Sequence, residues 1–194
     1  MSDIMKFDSN ENFRRALHFT FGNEGGYSND PDDPGGRTMM GITESTLLRA
    51  YKQQIVGHHD IKRLTRGEAE AIYGCLYWTP SRAQLMPWAL CALHFDAAVN
   101  NGVVGAGRLL QRTLNSLYNA ELVLDGSAGP ATMRKLRGVL GWNDGTAQLR
   151  RIESEYCSQR EQLFRAIVKK DNNKSVFLHG WLNRIARNRQ LIEE

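Results

Sequence analysis

Five residues near the N-terminus have the types and spacing that acid–base chemistry on a sugar requires. Glu24 follows a pattern typical of an amphipathic helix, and Asp30, Asp32 and Asp33 lie in the loop that comes next, ahead of Thr38. Cleavage of a glycosidic bond needs one carboxylic acid that protonates the leaving oxygen and a second carboxylate opposite the developing positive charge. The negative end of the preceding helix favours a protonated Glu24, whereas loop carboxylates near glycine N–H groups stay ionised. The segment therefore favours an enzyme that cuts a polysaccharide.

Spacing alone leaves two other interpretations of these acidic residues open. Asp before Pro, or ahead of Gly-Gly, is common in turns, so Asp30, Asp32 and Asp33 could serve only the loop. A calcium-binding loop is a third option, but residues 24–43 lack its twelve-residue spacing and closing bidentate Glu. Elsewhere, no spacing of His, Asp and Glu indicates a metal site, and the serine hydrolase motif G-x-S-x-G does not occur. We therefore expect neither a metal nor a cofactor.

The rest of the sequence predicts a mainly α (α+β) fold, in which a helical body carries a small β-hairpin or loop next to the active site. Asp8 with Glu11, and Thr65 with Glu68, form capping-box patterns, and Pro130 suits the first position of a helix. Residues 25–42 hold five glycines and two prolines and keep no helical period, which indicates a loop or hairpin. Apolar periodicity predicts helices over residues 8–21, 43–54, 65–77, 104–117, 130–140 and 146–170, and helices that begin near residues 88 and 175.

Several polar and aromatic residues could contact a sugar chain. The helix after Trp88 is apolar on nearly every side, so its Asp96 and Asn100, which share a face, must find partners or line a cleft. The rings of Tyr27, Tyr77 and Trp78 could stack on sugars, although the same rings could also fill the core. We predict that these five residues bind substrate, and that Trp181 belongs to the core.

Composition and charge limit the class of protein. Hydrophobic residues make up 41% of the 194 residues, enough for a core, and no apolar run is long enough to span a bilayer. Residues 134–194 carry 13 Lys and Arg against 7 Asp and Glu, so the C-terminal third is basic within a net charge of +4. Such a face suits a polyanion such as nucleic acid, an anionic membrane or a bacterial wall, or it serves solubility alone. No secretory signal is visible at the N-terminus, which predicts a cytoplasmic protein unless something releases it.

Several separated motifs resemble one known family. The segment EGGYSNDPDDPGGRTMMGIT (residues 24–43) resembles the opening signature of glycoside hydrolase family 108, the N-acetylmuramidase endolysins of bacterial viruses. Further along, FDAAVNNG, LLQRTLN, LDGSAGP and GWLNR resemble the peptidoglycan-binding segment that usually follows in that family. The resemblance covers residues 11–185. It implies a lysozyme-like fold, with residues 1–100 as the muramidase segment and residues 101–194 as a helical peptidoglycan-binding segment, packed into one globular body.

The resemblance also implies roles for particular residues. Glu24 corresponds to the catalytic acid of the EGGY motif, and Asp33 and Thr38 match the spacing of phage lysozymes, in which an Asp positions water and a Thr orients it. Asp30 is the alternative to Asp33, and otherwise a substrate contact. The implied reaction is cleavage of the β-1,4 bond between N-acetylmuramic acid and N-acetylglucosamine.

The resemblance further predicts the partners and the place of action. The implied partners are peptidoglycan and a holin-type membrane protein. The resemblance implies a monomer that binds no nucleic acid. This monomer stays in the host cytoplasm until the holin-type protein lets it reach the cell wall in the periplasm. Three competing hypotheses are a lytic transglycosylase, a non-catalytic wall-binding module and a nucleic-acid-binding protein. The presence of both Glu24 and Asp33 argues against the wall-binding module, and no nucleic-acid-reading motif is found.

Overall fold

Helices form most of the chain in the computed structural model, which describes residues 11–21, 27–28, 37–141 and 146–193. The predicted mainly α fold with a small antiparallel sheet is confirmed. Short 3₁₀ turns lie at Ile61–Arg63, Ala83–Leu85 and Asn172–Lys174, and helical geometry also continues through Gly74–Trp78 and Thr79–Ser81. The longer helices are α1 (Glu11–Phe21), α2 (Glu44–Lys52), α3 (Arg66–Tyr73), α4 (Leu90–Asn101), α5 (Val103–Tyr118), α6 (Pro130–Leu140), α7 (Thr146–Lys170) and α8 (Ser175–Glu193).

The helix starts agree with the capping residues in the sequence. The Thr43 hydroxyl accepts a hydrogen bond from the Thr46 N–H at the start of α2. Thr65 and Glu68 form the predicted capping box, in which each side chain bonds the other residue's backbone N–H. Pro130 is the first residue of α6, where a missing N–H costs nothing. The cap predicted at Asp8 lies outside the described residues.

A small sheet follows α1. Strands β1 (Tyr27–Ser28), β2 (Thr38–Met39) and β3 (Ile42–Thr43) pair antiparallel in that order. Ser28 pairs with Thr38, and Thr38 pairs in turn with Thr43. β2 is therefore the central strand, and β3 leads directly into α2.

Helix α4 is the centre of the core. Residues 90–98 of this helix are all buried, and α4 packs against α1, α5 and α7. Phe95 contacts Phe13 of α1 and Trp78, with ring centroids 5.9 and 5.4 Å apart. One hydrophobic cluster includes side chains from both of the predicted segments, for example Phe13 in the first and Phe164 in the second. The division into segments at residues 100 and 101 stays a prediction.

The LDGSAGP motif forms a loop that closes on α5. Gln111 holds it, because its amide nitrogen donates to Asp125 over 2.6 Å and its amide oxygen accepts from the Gly126 N–H over 2.9 Å. Gly107 lies so close to this loop that a Cβ there would be 1.9 Å from the Gly126 carbonyl oxygen. Gly126 itself has a φ of +82°, in the left-handed region that favours glycine. The two glycines thus allow the loop to contact the helix directly.

Two buried titratable groups lie in the core, His94 on α4 and Glu153 on α7. Glu153 of α7 is 2% exposed, and burial raises the pKa of its carboxyl to about 7, against smaller opposing effects of the Leu90 backbone and Arg150. His94 is fully buried, and burial lowers its pKa to about 4. The neutral imidazole is held between the Tyr156 hydroxyl at 3.0 Å and the Ser81 carbonyl at 3.2 Å. Both side chains are thus stable in the core when uncharged.

Candidate active site

The predicted catalytic acids lie in sequence between helix α1 and strand β2, which the structure describes. Helix α1 ends at Phe21 and β1 begins at Tyr27, so Glu24 lies midway along the short connection between them. Asp30 and Asp33 belong to the connection between β1 and β2. All three carboxylates lie outside the described residues, so their roles stay predictions. Tyr27 is placed only through its backbone, which pairs with Met39.

The hairpin formed by β2 and β3 is fastened to the end of α1. The Tyr73 hydroxyl donates a hydrogen bond of 3.0 Å to the Met40 carbonyl in the turn of this hairpin. The ring of Tyr73 also packs on Phe21, the last residue of α1, with centroids 4.3 Å apart. Gly41 has a φ of +72°, and a Cβ there would lie 2.9 Å from both Phe21 and the Tyr73 hydroxyl. These contacts hold the helix end and the sheet together on either side of the Glu24 connection.

Thr38 lies on the central strand of this sheet. It is half-buried, pairs with Ser28 and Thr43, and its hydroxyl makes no hydrogen bond to any residue that the structure describes. At the start of β2, an ion pair of 2.7 Å joins Arg37 to Glu44 of α2. A threonine on an anchored strand could orient a water molecule, which keeps the predicted role open.

Tyr77 and Trp78 take opposite positions although they are adjacent in sequence. Both belong to the π-helical segment Gly74–Trp78, a rare geometry that is frequent at functional sites. Tyr77 is half-buried, and its ring lies 6.0 Å from that of Tyr73, near the end of α1. It remains a candidate for sugar contact.

The predicted stacking role of Trp78 is wrong. Trp78 is 1% exposed and packs between Phe13 and Phe95, with ring centroids 5.3 and 5.4 Å away. Its ring fills the core and leaves no face for a sugar.

The prediction that Asp96 contacts substrate is also wrong. Its buried carboxylate lies between two guanidinium groups, since Arg160 Nη1 donates to Oδ2 and Arg184 Nη1 donates to Oδ1 over 2.6 Å. A buried charge is stable only when it is paired, and Asp96 has found partners on α7 and α8 rather than a cleft. Asn100, four residues later, is exposed and donates to the Asp96 carbonyl over 2.7 Å. The two residues are thus neighbours with different environments.

Asn100 opens onto a pocket that sequence reasoning did not find. This α7–α8 pocket has a volume of about 270 Å³. Three of its residues, Phe177, Trp181 and Arg184, recur at helical spacing on α8, a signal that could have revealed it. Trp181, which the sequence assigned to the core, is half-buried and stacks on Phe164. The pocket is lined by Asn100, Asn101, Phe164, Ile167, Lys174, Phe177, Trp181 and Arg184.

The described ranges hold neither a cluster of metal ligands nor a membrane-spanning helix. There, no group of three or more His, Cys, Asp or Glu side chains is arranged to hold a metal ion. No helix within these ranges has the length and apolar character to cross a membrane. Of the three cysteines, Cys91 and Cys157 are buried and Cys75 is half-buried.

Comparisons with known proteins agree with the motifs. Residues 17–102 match the model of a family described as glycosyl hydrolase 108, and residues 105–186 match one described as a predicted peptidoglycan domain. The first match ends at residue 102 and the second begins at residue 105. The solved structure of SagA from Brucella abortus is 30% identical in sequence, with a TM-score of 0.72, over 93% of this chain and 92% of that one. No curated protein matches the chain.

Proposed function

Because the chain belongs to the glycosyl hydrolase 108 family, we propose that it hydrolyses the β-1,4 bond between N-acetylmuramic acid and N-acetylglucosamine. At a coarser level, a glycoside hydrolase segment joined to a peptidoglycan segment makes it an enzyme that degrades peptidoglycan. The observation that carries the finer proposal is the hairpin fastened to the end of α1. Through Tyr73, Met40 and Phe21, it fixes the strand of Thr38 to the end of α1, the helix that Glu24 follows in sequence.

In the proposed mechanism Glu24 is the general acid. Its carboxylic acid donates a proton to the glycosidic oxygen as the bond to the anomeric carbon breaks, and the sugar develops oxocarbenium character. Asp33, or Asp30 in its place, supplies the negative charge opposite, and a water molecule oriented by Thr38 attacks the anomeric carbon. The proton of this water passes to a carboxylate, so the reaction consumes one water and yields a reducing end. Tyr27 and Tyr77 are the proposed ring contacts for the sugars.

Replacement of Glu24 by glutamine tests the proposal. The amide cannot donate a proton to the leaving oxygen, so lysis of permeabilised Gram-negative cells, followed by turbidity, should fall about 100-fold or more. Glu11→Gln is the matched control, because it makes the same substitution at an exposed glutamate of α1 that has no proposed role in catalysis. Circular dichroism should show both variants folded. Full lysis by a folded Glu24→Gln protein would contradict the assignment of the acid.

The second carboxylate is identified by a pair of variants. Asp33→Asn should reduce lysis strongly, and Asp30→Asn should reduce it less, because we assign Asp30 a substrate contact. If Asp30→Asn is the more damaging change, the two assignments are exchanged.

We also propose the biological role of a viral endolysin, supported by the resemblance of residues 24–43 to those enzymes. In this role the protein is a monomer without affinity for nucleic acid, and it waits in the host cytoplasm until a holin-type partner opens the membrane. Cells that produce the protein should then lyse only when a membrane-permeabilising agent is added. Lysis of intact producing cells at the same rate would contradict the need for a partner.

A further inference from the structure

The α7–α8 pocket has a cationic floor. Asp96 is one carboxylate shared between Arg160, which is 0% exposed, and Arg184, so the two guanidinium groups exceed the one negative charge. Lys174 adds a further positive charge at the pocket, and the nearest oxygen of its partner, Asp171, is 4.0 Å away. A surplus positive charge around a partly desolvated site attracts an anion.

Hydrogen-bond donors remain unused at this floor. Arg160 lies directly behind the lining, because its Nε donates to Asn101 over 3.1 Å and its guanidinium lies 5.5 Å from the ring of Phe164. Its Nη2 is buried and has no hydrogen-bond partner among the described residues. Among the described residues, Arg184 makes a side-chain hydrogen bond only to Asp96, through its Nη1 atom. Arg160 is fully buried and does not line the pocket, so the free donors of Arg184 are the ones that a ligand with acceptor oxygens can reach.

Part of the pocket lining is aromatic. Trp181 stacks on Phe164 at 4.8 Å and on Phe177 at 5.9 Å between ring centroids, each with an angle of 25° between planes. Phe177 is 44% exposed, so its ring is accessible to a ligand in the pocket. A cationic floor and an apolar wall together fit a carboxylate that is attached to an aliphatic chain.

The volume limits the size of the ligand. A volume of about 270 Å³ is just below the usual range for ligand pockets, so the site suits a single residue rather than a disaccharide with its peptide. A neutral sugar ring would leave the surplus charge of the floor without a counterion. The peptides that branch from the glycan strands of peptidoglycan carry free carboxylates on short aliphatic residues, which match both walls.

We propose that the α7–α8 pocket binds a carboxylate of the peptide stem of peptidoglycan, with Arg184 and Lys174 as its cationic contacts and Phe177 as its apolar contact. The inference rests on the proposed function only in taking the bacterial wall as the substrate. Arg184 is also close enough to Tyr73, which holds the β2–β3 hairpin, for its charge to lower the pKa of the Tyr73 hydroxyl. Burial and Tyr77 raise that pKa more strongly. The pocket would hold the peptide while the glycan strand occupies the site at the end of α1.

Binding of a synthetic stem peptide to the full-length Glu24→Gln protein, measured by titration calorimetry, tests this proposal. The peptide with free carboxylates should bind, and the same peptide with every carboxylate amidated should bind at least about tenfold more weakly. Lys174→Glu should weaken binding of the acidic peptide roughly tenfold, because it reverses one charge at the pocket. Lys52→Glu, which reverses the charge of an exposed lysine on α2, should leave the affinity unchanged.

A second pair of variants tests the apolar wall. Phe177→Ala should weaken binding, whereas Val176→Ala, at a neighbouring and more exposed position outside the lining, should not. Equal affinity for the free and amidated peptides, or equal effects of Lys174→Glu and Lys52→Glu, would overturn the proposal. So would stronger binding of a peptide-free glycan fragment, which would make the pocket a sugar site. The peptide probe contains no glycosidic bond. A failure of the peptide to bind would therefore contradict the pocket proposal and not the proposed hydrolysis, which the activity of the Glu24→Gln protein tests separately.

Discussion

Replacement of Asp96 by asparagine distinguishes a structural role for this residue from a substrate contact. The amide has nearly the same shape as the carboxylate but no charge, so Arg160 becomes a buried cation without a counterion. Loss of one partner from a buried ion pair costs about 3–5 kcal/mol, and here the same carboxylate also bonds Arg184. For a chain of this size, each kcal/mol lowers the Tm by about 2–4 °C, so we expect a decrease of roughly 10 °C.

Thermal unfolding followed by circular dichroism measures this effect, and Asp60→Asn is the matched control. Asp60 is exposed and caps a 3₁₀ turn through Lys62 N–H, a bond that asparagine can also accept. Its replacement should change the free energy of unfolding by less than about 0.5 kcal/mol. If Asp96→Asn leaves the Tm unchanged but raises the KM for peptidoglycan, the structural assignment fails and the sequence prediction of a substrate contact is restored.

Two further predictions concern the core and its response to pH. Gly107→Ala should destabilise the protein by about 3 kcal/mol in chemical denaturation, because the new methyl group overlaps the Gly126 carbonyl oxygen, whereas Gly138→Ala, with open space around it on α6, should stabilise by up to about 1 kcal/mol. Equal effects would contradict the close approach. Glu153 binds its proton more tightly in the folded than in the unfolded chain, so its contribution is complete below about pH 4.5 and is lost as the pH rises through about 7. Glu153→Gln should therefore gain up to about 3 kcal/mol over the native protein at pH 8, and a constant difference between pH 5 and pH 8 would contradict the raised pKa. His94 has the opposite dependence, with stability lost as the pH falls from 6.5 to about 4, so Glu153→Gln should lose stability on acidification more steeply than the native protein.

Local signals in the sequence predicted the helical framework well. The capping box at Thr65 and Glu68 and the proline at residue 130 mark helix starts that the structure confirms, because caps depend on residues within one turn. The small sheet after α1 was likewise indicated by the loss of helical period among the glycines. Family motifs around Glu24 then gave the class of enzyme, which no single element would have shown.

Contacts between distant parts of the chain could not be predicted. The sequence left two fates open for a polar residue on a buried helix, and the partners of Asp96 are 64 and 88 residues away. Trp78 and Tyr77 are adjacent, and their opposite environments depend on the π-helical geometry and on Phe13 from α1. The α7–α8 pocket exists only where the ends of α4, α7 and α8 meet, so periodicity within one helix showed just part of its lining.

The most direct test of the account is the chemical identity of the ends that the enzyme creates in purified peptidoglycan. Digested material is reduced with borohydride and its soluble fragments are analysed by mass spectrometry, with Glu24→Gln protein as the blank. Hydrolysis of the proposed bond predicts fragments that end in reduced N-acetylmuramic acid and that are absent from the blank. Fragments that end in 1,6-anhydro-N-acetylmuramic acid or reduced N-acetylglucosamine, or peptides released from intact glycan, would contradict it.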